Sequence, residues 1–330
     1  MNKPTKSSLR VYGAGGAGIN TVQNLNLPID AAGFPNTFFG LIDTSKSNIS
    51  LKPNKTYDTF VVPGVDGTGK NRQFAHQISA THLNDMLLTC PPKEFNIVVF
   101  GLSGGSGSVL GPLLIEELSK RGQSVIGICI SSIASQAEAQ NAYNTLGTLQ
   151  NIAVNRLKKP VVCCIHENCV TTPRHVVDGL IEANIRAIAM LVSGTNLELD
   201  KKDINNWLNY DKVTKITPQL VDLIVYLSGK DTNSLADLSA ISVANLLPSK
   251  EDTEVTLGQL YSCVGYCSEG ATGASSHEIP PMHFIISNQF MADRILKLKT
   301  TVEQYKQSEA ELHAVKIPEF DNGDESGFIF

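Results

Sequence analysis

Gly101-Leu102-Ser103-Gly104-Gly105-Ser106-Gly107-Ser108 separates two runs of different character. Before it stands Asn96-Ile97-Val98-Val99-Phe100, short, apolar and β-branched, which reads as a buried strand. After it, residues 109–121 read as a helix, with Pro112 in its first turn and Gly122 as its stop. A strand, a glycine- and serine-rich turn and a helix in that order aim backbone N–H groups and a helix N-terminus at one spot, which suits phosphate. The glycines let the backbone approach an anion, and Ser106 and Ser108 offer hydroxyls. No Gly-Lys-Ser/Thr follows, so this is not a Walker A loop. A tight turn of an α/β sheet is the plain alternative, but four glycines in seven positions exceed what a turn needs.

A second loop of this kind lies near the N-terminus. Leu9-Arg10-Val11-Tyr12 is strand-like and runs into Gly13-Ala14-Gly15-Gly16-Ala17-Gly18-Ile19-Asn20, then a helix over 19–26. Gly13, Gly15 and Gly18 satisfy the dinucleotide fingerprint G-x-G-x-x-G, and the strand over 37–42 ends in Asp43, close to where a ribose-binding acid would stand. A NAD-dependent dehydrogenase is therefore a competing reading. A dinucleotide fold needs one such turn, however, whereas two suit a mononucleotide whose polyphosphate is gripped from both sides. A third glycine-rich turn, residues 63–71, joins a strand over 58–62 to a helix over 72–88. It is either a surface loop or a cover for the terminal phosphate, with Thr68, Lys70 or backbone amides as donors.

Further along, a strand over 124–130 and a polar turn lead to Glu138, which opens a helix reaching 157. Its carboxylate can accept from ribose hydroxyls, or simply favour a first helical turn. A buried strand over 160–165 ends in His166-Glu167-Asn168, at the strand end where α/β folds place ligands. A long helix follows over 173–192. Val176, Val177, Leu180, Ile181, Ile185, Ile188, Ala189 and Val192 cover most of its circumference and predict burial between layers. Asn184 is its polar exception, either a core hydrogen-bonding residue or one facing a base.

Composition sets the bounds. The 330 residues are 42% hydrophobic and 18% charged, enough for two domains and a large core. A net charge of −5 argues against a surface that coats nucleic acid. No apolar run approaches the ~20 residues that span a bilayer. Residues 1–10 are polar without a signal-peptide core. Seven cysteines, an odd number without framework spacing, fit a reducing cytoplasm; Cys163 and Cys164 read as buried thiols, and Cys263 and Cys267 lack partners for zinc.

These motifs, in this order, resemble the tubulin/FtsZ superfamily of polymerising GTPases. Residues 101–108 resemble its signature loop G-G-G-T-G-[ST]-G, which wraps phosphates. Residues 13–20 are similar to its first loop, with Asn20 at the guanine-contacting asparagine. Asp43-Thr44 resembles the acid-bearing end of the second strand, Glu138 the ribose-binding glutamate, Asn168 the sixth-loop asparagine, and Asn184 the core-helix asparagine that meets the base. Leu199-Asp200-Lys201-Lys202-Asp203-Ile204 is similar to the synergy loop, whose two acids complete the nucleotide site of the neighbouring subunit and orient the attacking water. The resemblance assigns Gly15, Gly16, Ala17, Asn20, Asp43, Thr68, Gly104, Gly105, Ser106, Gly107, Ser108, Glu138, Asn168 and Asn184 to nucleotide binding. It assigns Asp200 and Asp203 to catalysis in trans. It implies GTP/GDP, with Mg2+ held through phosphates and water rather than by direct ligands. Glu198 stands where FtsZ has asparagine, the third loop lacks the usual alanine-glycine-asparagine pattern, and Gln140, Asn141 and Ala142 stand where FtsZ has an arginine. These departures point to the divergent phage and plasmid tubulins, the PhuZ and TubZ types.

The expected architecture is α/β: a Rossmann-like parallel-sheet GTPase domain (1–172), a core helix and synergy loop (173–204), a second α+β domain (205–288), a C-terminal helix (289–318) and an acidic tail (319–330). Within the second domain, 218–227 and 235–246 read as helices, 255–266 and 282–287 as strands, and 270–276 as a flexible loop. Met291, Ile295, Leu298, Val302, Tyr305 and Leu312 form one apolar stripe on the final helix. The tail ends in Phe-Ile-Phe; Asp321, Asp324 and Glu325 are expected to meet a basic patch on the next subunit while Phe328 and Phe330 fill a groove. The expected function is a GTPase forming dynamic head-to-tail homopolymers in the bacterial host cytoplasm, positioning phage DNA or its replication compartment. The cargo is reached through an adaptor, without direct nucleic-acid or membrane contact. Plasmid partition is the alternative role, and a nucleotide-binding scaffold without hydrolysis the alternative activity.

Overall fold

The computed structural model describes residues 5–28, 31–50, 55–227, 235, 237–268 and 279–314. Its centre is a ten-stranded sheet in the order β3-β2-β1-β4-β5-β6-β7-β10-β8-β9. The strands are β1 (Ser8–Ala14), β2 (Asn36–Asp43), β3 (Tyr57–Val61), β4 (Phe95–Gly101), β5 (Ser124–Ser132), β6 (Val161–Asn168), β7 (Leu220–Leu227), β8 (Ser242–Leu247), β9 (Tyr261–Tyr266) and β10 (Met282–Ser287). β3 through β7 are parallel, and only β10 runs antiparallel to its neighbours β7 and β8. The order 3-2-1-4-5-6 is doubly wound, and its direction reverses between β1 and β4. The first two glycine turns follow those two strands, so both open at the switch point, where such sheets bind ligands.

The helices are α1 (Gly15–Asn24), α2 (Arg72–Ala80), α3 (Leu83–Thr89), α4 (Gly107–Lys120), α5 (Gln136–Asn151), α6 (Arg174–Leu191), α7 (Lys201–Leu208) and α8 (Gln289–Ala314). Side-chain alternation splits the core. Leu9, Val11, Ile97 and Val99 face one layer with Val22, Ile181, Ile185 and Trp207; Tyr12, Val98 and Phe100 face the other with Leu114, Leu146 and Leu298. Pro112 lies inside α4 and cannot donate to the Ser108 carbonyl; the Arg72 guanidinium donates there at 2.6 Å.

Several elements differ from the sequence expectation. Residues 220–227 form β7 and 242–247 form β8, not helices, because these apolar runs are flanked by strands on both sides. The helix over 72–88 breaks into α2 and α3 where the Thr81 hydroxyl donates to the Ile78 carbonyl. α6 is not buried all round: Val177, Ile181 and Ile185 are buried, whereas Val176 and Leu180 are exposed on its outer side. The loop at 270–276 and the tail with Asp321, Asp324, Glu325, Phe328 and Phe330 lie outside the described residues.

Candidate functional site

At the carboxyl ends of β1 and β4, two cavities of about 480 and 380 Å3 share Gly16, Ala17, Asn48, Gly101 and Gly104, and so form one cleft. Glycine is required here by close backbone approach. A Cβ on Gly18 would lie 2.0 Å from the Val99 carbonyl oxygen, so α1 can pack on β4 only without it. A Cβ on Gly15, which has φ +69°, would lie 2.4 Å from the Gly107 nitrogen. On Gly105 it would lie 2.1 Å from Thr68 Oγ1. The three glycine turns are thus packed on one another. Gly104 differs: a Cβ there meets nothing within 4 Å, and its backbone faces the cleft.

The larger half is lined by polar groups from the ends of β2 and β3. Asp43 is buried; its carboxylate accepts from the Thr44 N–H at 2.7 Å and from Asn48 Nδ2 at 2.9 Å. Burial pushes its pKa up, against these hydrogen bonds. Thr44 and Ser106 hydroxyls meet at 2.6 Å, with Thr68 Oγ1 3.4 Å from the same Ser106 oxygen. The Ser45 hydroxyl donates to Asp66 at 2.5 Å. Ser108 is fully buried and its hydroxyl donates to the Gly105 carbonyl, so it braces the turn from behind.

In the smaller half, Asn20 and Thr21 of α1 face Arg174, Val177 and Asp178 of α6, with Glu138 and Asn168 at the edge. Lys70 bridges the two halves: its ammonium lies 2.8 Å from Glu138 Oε1, while the Ala134 N–H donates to Glu138 Oε2. Burial alone would raise the Glu138 pKa, but the Lys70 and Ala134 bonds outweigh it and hold the carboxyl below its usual range. Asn184 does not line this cleft. Its amide donates to Cys164 Sγ at 3.3 Å and sits 3.3 Å from His166 Nε2, an imidazole that burial depresses to about 4.

Asp200 and Asp203 lie elsewhere. α6 contributes its first turns to the cleft, and its 18 residues span about 27 Å before the chain reaches Asp200. There Asp200 caps α7: its carboxylate accepts from the Lys202 and Asp203 N–H groups, and Asp203 accepts from the Asp200 N–H. The Asp203 amide lowers the Asp200 pKa most; desolvation opposes it, and the Lys202 amide adds to the lowering. The subunit therefore carries its glycine cleft and its acidic pair at opposite ends of one helix.

A family model described as phage tubulin-like protein, C-terminal domain, matches residues 199–289. A phage tubulin-like protein of Pseudomonas phage PhiPA3 is 32% identical over 98% of this chain and 99% of its own length. The chain belongs to the phage tubulin-like family. The relative from Pseudomonas phage 201phi2-1 is 28% identical over 96% of this phage tubulin and 97% of its own length. Among solved structures, the phage tubulin PhuZ with GDP superposes with a TM-score of 0.83 at 23% identity, covering 98% of this chain and 99% of that one. A protofilament of TubZ from bacteriophage PhiKZ gives 0.80 at 24% over the same shares. An FtsZ from M. jannaschii shares the fold with a TM-score of 0.60 at 15%, covering 86% of this chain and 91% of that one. Family membership sets the dehydrogenase reading of Gly13, Gly15 and Gly18 aside.

Three groups in the phage tubulin's cleft were not evident from the sequence. Ser45, Ser47 and Asn48 form a polar run just past β2, a strand-end signal the sequence does contain. Asp66 reaches the cleft from the third glycine turn. Asp178, one helical turn after Arg174 and 3.6 Å from its guanidinium, accepts from the Thr21 hydroxyl at 3.4 Å. Only the packing of α1 against α6 brings Asp178 there. Among the described residues no helix is long and apolar enough to cross a membrane.

Proposed function

We propose that this phage tubulin binds GTP in the β1–β4 cleft and assembles head-to-tail, each subunit's Asp200 and Asp203 completing the site of the next. The observation that carries this is the placement of cleft and acidic pair at opposite ends of α6, which suits a heterologous, non-closing contact. The phosphates would sit against Gly104, Gly105, Ser106 and Gly107, with Gly16, Ala17, Thr68 and Lys70 on the facing side. Gly15 and Ser108 support that cradle from behind. Asp43 and Asp66 offer hard oxygen acceptors to the water shell of Mg2+, which supplies charge neutralisation at the phosphates. Asn20, Asn168 and Glu138 would meet base and ribose. Asp178 adds a carboxylate able to accept two N–H groups at once, a pattern guanine presents and adenine does not.

The Asp200 carboxylate, held in place by the Lys202 and Asp203 amides, would orient the attacking water for hydrolysis. GTP turnover then depends on assembly. Asn184 supports the base indirectly, through the Cys164–His166 packing behind Asn168. The acidic tail at 319–330 would clamp the next subunit through Asp321, Asp324, Glu325, Phe328 and Phe330. The role we infer is to position phage DNA or its replication compartment in the bacterial host cytoplasm, through an adaptor rather than direct nucleic-acid contact; relatives that are proteins of Pseudomonas phages favour this over plasmid partition.

The test is right-angle light scattering of the purified protein with GTP, GDP and a slowly hydrolysed GTP analogue, with phosphate release followed in the same cuvette. Scattering is expected to rise with GTP, decay as phosphate accumulates, and persist with the analogue. No scattering with any nucleotide over a wide concentration range would refute the filament. Scattering without phosphate release would leave the scaffold.

A further inference from the structure

We propose that α8 sets the sugar side of the nucleotide cleft, with Arg294 as the positioning residue; this rests on the nucleotide reading above. β6 carries Asn168 into the cleft from its last position. Along that strand the pairing is uneven. β5 pairs with β6 as far as Asn168, but β7 pairs only at residues 161–163. The end of β6 that bears Asn168 therefore has sheet support on one side only, beside a split between β6 and β7.

Arg294 fills the split. One guanidinium nitrogen donates to Glu167 Oε1 at 3.0 Å, and the other lies 3.7 Å from Asp222 Oδ1 on β7. Lys297, about one turn further along α8, adds a second cation 3.5 Å from Glu167. Glu167 and Asn168 are consecutive in a strand and point to opposite faces. Holding Glu167 from the α8 face thus fixes where Asn168 stands on the cleft face.

The same helix reaches the other sugar-side group. Gln136 Nε2 donates to Glu309 Oε2 at 2.8 Å, and Gln136 opens α5 two residues before Glu138. Between these contacts Leu298 and Val302 are buried in the core, so α8 spans both as one rigid element. Asp222 is buried and Arg294 half-buried, while Glu167 is partly exposed and Lys297 exposed to water, so the cluster is a poor way to gain stability. Here Arg294 Nε and Asp222 Oδ2 have no hydrogen-bond partner among the described residues. The cluster's yield is direction, set on Glu167. Since the acidic tail follows α8, filament contact and sugar recognition share one helix.

The experiment is calorimetric titration of the full chain with GDP, 2′-deoxy-GDP and 3′-deoxy-GDP, comparing wild type with Arg294→Lys and Glu167→Gln, each alone and with Asn168→Ala. Melting curves establish folding; Glu167 is partly exposed, so Glu167→Gln decides if Arg294→Lys fails to fold. Each single variant is expected to weaken GDP about tenfold, the worth of one lost charge-assisted contact. It should weaken the deoxy analogue that has already lost the relevant hydroxyl less than about twofold, and combine non-additively with Asn168→Ala. Equal weakening of GDP and both deoxy analogues, additivity with Asn168→Ala, or unchanged GDP affinity would each overturn the proposal. A wild-type chain that binds no GDP would overturn the nucleotide reading itself.

Discussion

Gly104→Ala separates the cleft's chemistry from its packing. A Cβ on Gly104 meets no atom within 4 Å, so the methyl displaces nothing in the folded chain. Stability should be unchanged, or raised by up to about 1 kcal/mol through the lower entropy of the unfolded chain. That methyl, however, stands on the wall common to both halves of the cleft, where the proposed phosphate would approach the backbone. Losing one charge-assisted N–H contact costs about 1.5–3 kcal/mol, which is about tenfold to a hundredfold in GTP affinity. Gly18→Ala is the contrast. Its Cβ would lie 2.0 Å from the Val99 oxygen and 2.8 Å from the Val99 carbon, both backbone atoms of the central strand, so α1 must lift from β4. That overpacking costs about 3 kcal/mol. Urea unfolding and calorimetric GTP titration on both variants check this. The reasoning is refuted if Gly104→Ala lowers the urea midpoint as Gly18→Ala does, or if it binds GTP normally.

Asp200→Asn keeps an N-cap oxygen for α7, since asparagine caps as well as aspartate, but removes the charge. Phosphate release is expected to fall about a hundredfold or more while scattering persists; near-wild-type turnover in filaments would remove Asp200 from the chemistry. Deleting residues 319–330 should raise the critical concentration for assembly about tenfold, the equivalent of one or two ionic contacts; an unchanged critical concentration would exclude the tail from the filament contact. Burial, opposed by Arg294, raises the Asp222 pKa from 3.8 to about 6. Between those values the folded chain binds more protons than the unfolded one, so this group's contribution to stability falls as pH rises from 4 to 6 and stays low above. The shift corresponds to roughly 3 kcal/mol, and Asp222→Asn should recover part of it at pH 8 and none at pH 4. Parallel stability curves for the two proteins would contradict this.

Much of the fold was legible because local chemistry and tertiary role coincide in it. The glycine turns after Tyr12 and Phe100 announce close backbone approach, and glycine is what the tight packing at Gly15, Gly18 and Gly105 demands. The final helix begins at its expected first residue, Gln289, and runs through Ala314, because Met291, Leu298 and Val302 of its apolar stripe are buried. Misreadings cluster where period is ambiguous: Leu220–Leu227 and Ser242–Leu247 are short apolar runs that a helix or a two-sided strand would accommodate equally. Val176 and Leu180 showed the opposite limit, since an apolar residue in sequence carries no statement of which side is covered.

By itself the sequence determined the strand–turn–helix units of a Rossmann-like parallel sheet, the two phosphate-type turns and the acidic pair beyond the long helix, all properties of residues close together in the chain. Tertiary structure alone decided what those residues face. It put Asp178 in the cleft and Asn184 behind it, turned Lys70 toward Glu138, and made Ser108 a brace rather than a lining group. It also placed Arg294 in the split between β6 and β7. The physical reason is range: backbone conformation and periodicity are set by neighbours within a few residues, whereas a polar side chain's partner is set by how helices and strands pack, across separations such as the 127 residues between Glu167 and Arg294.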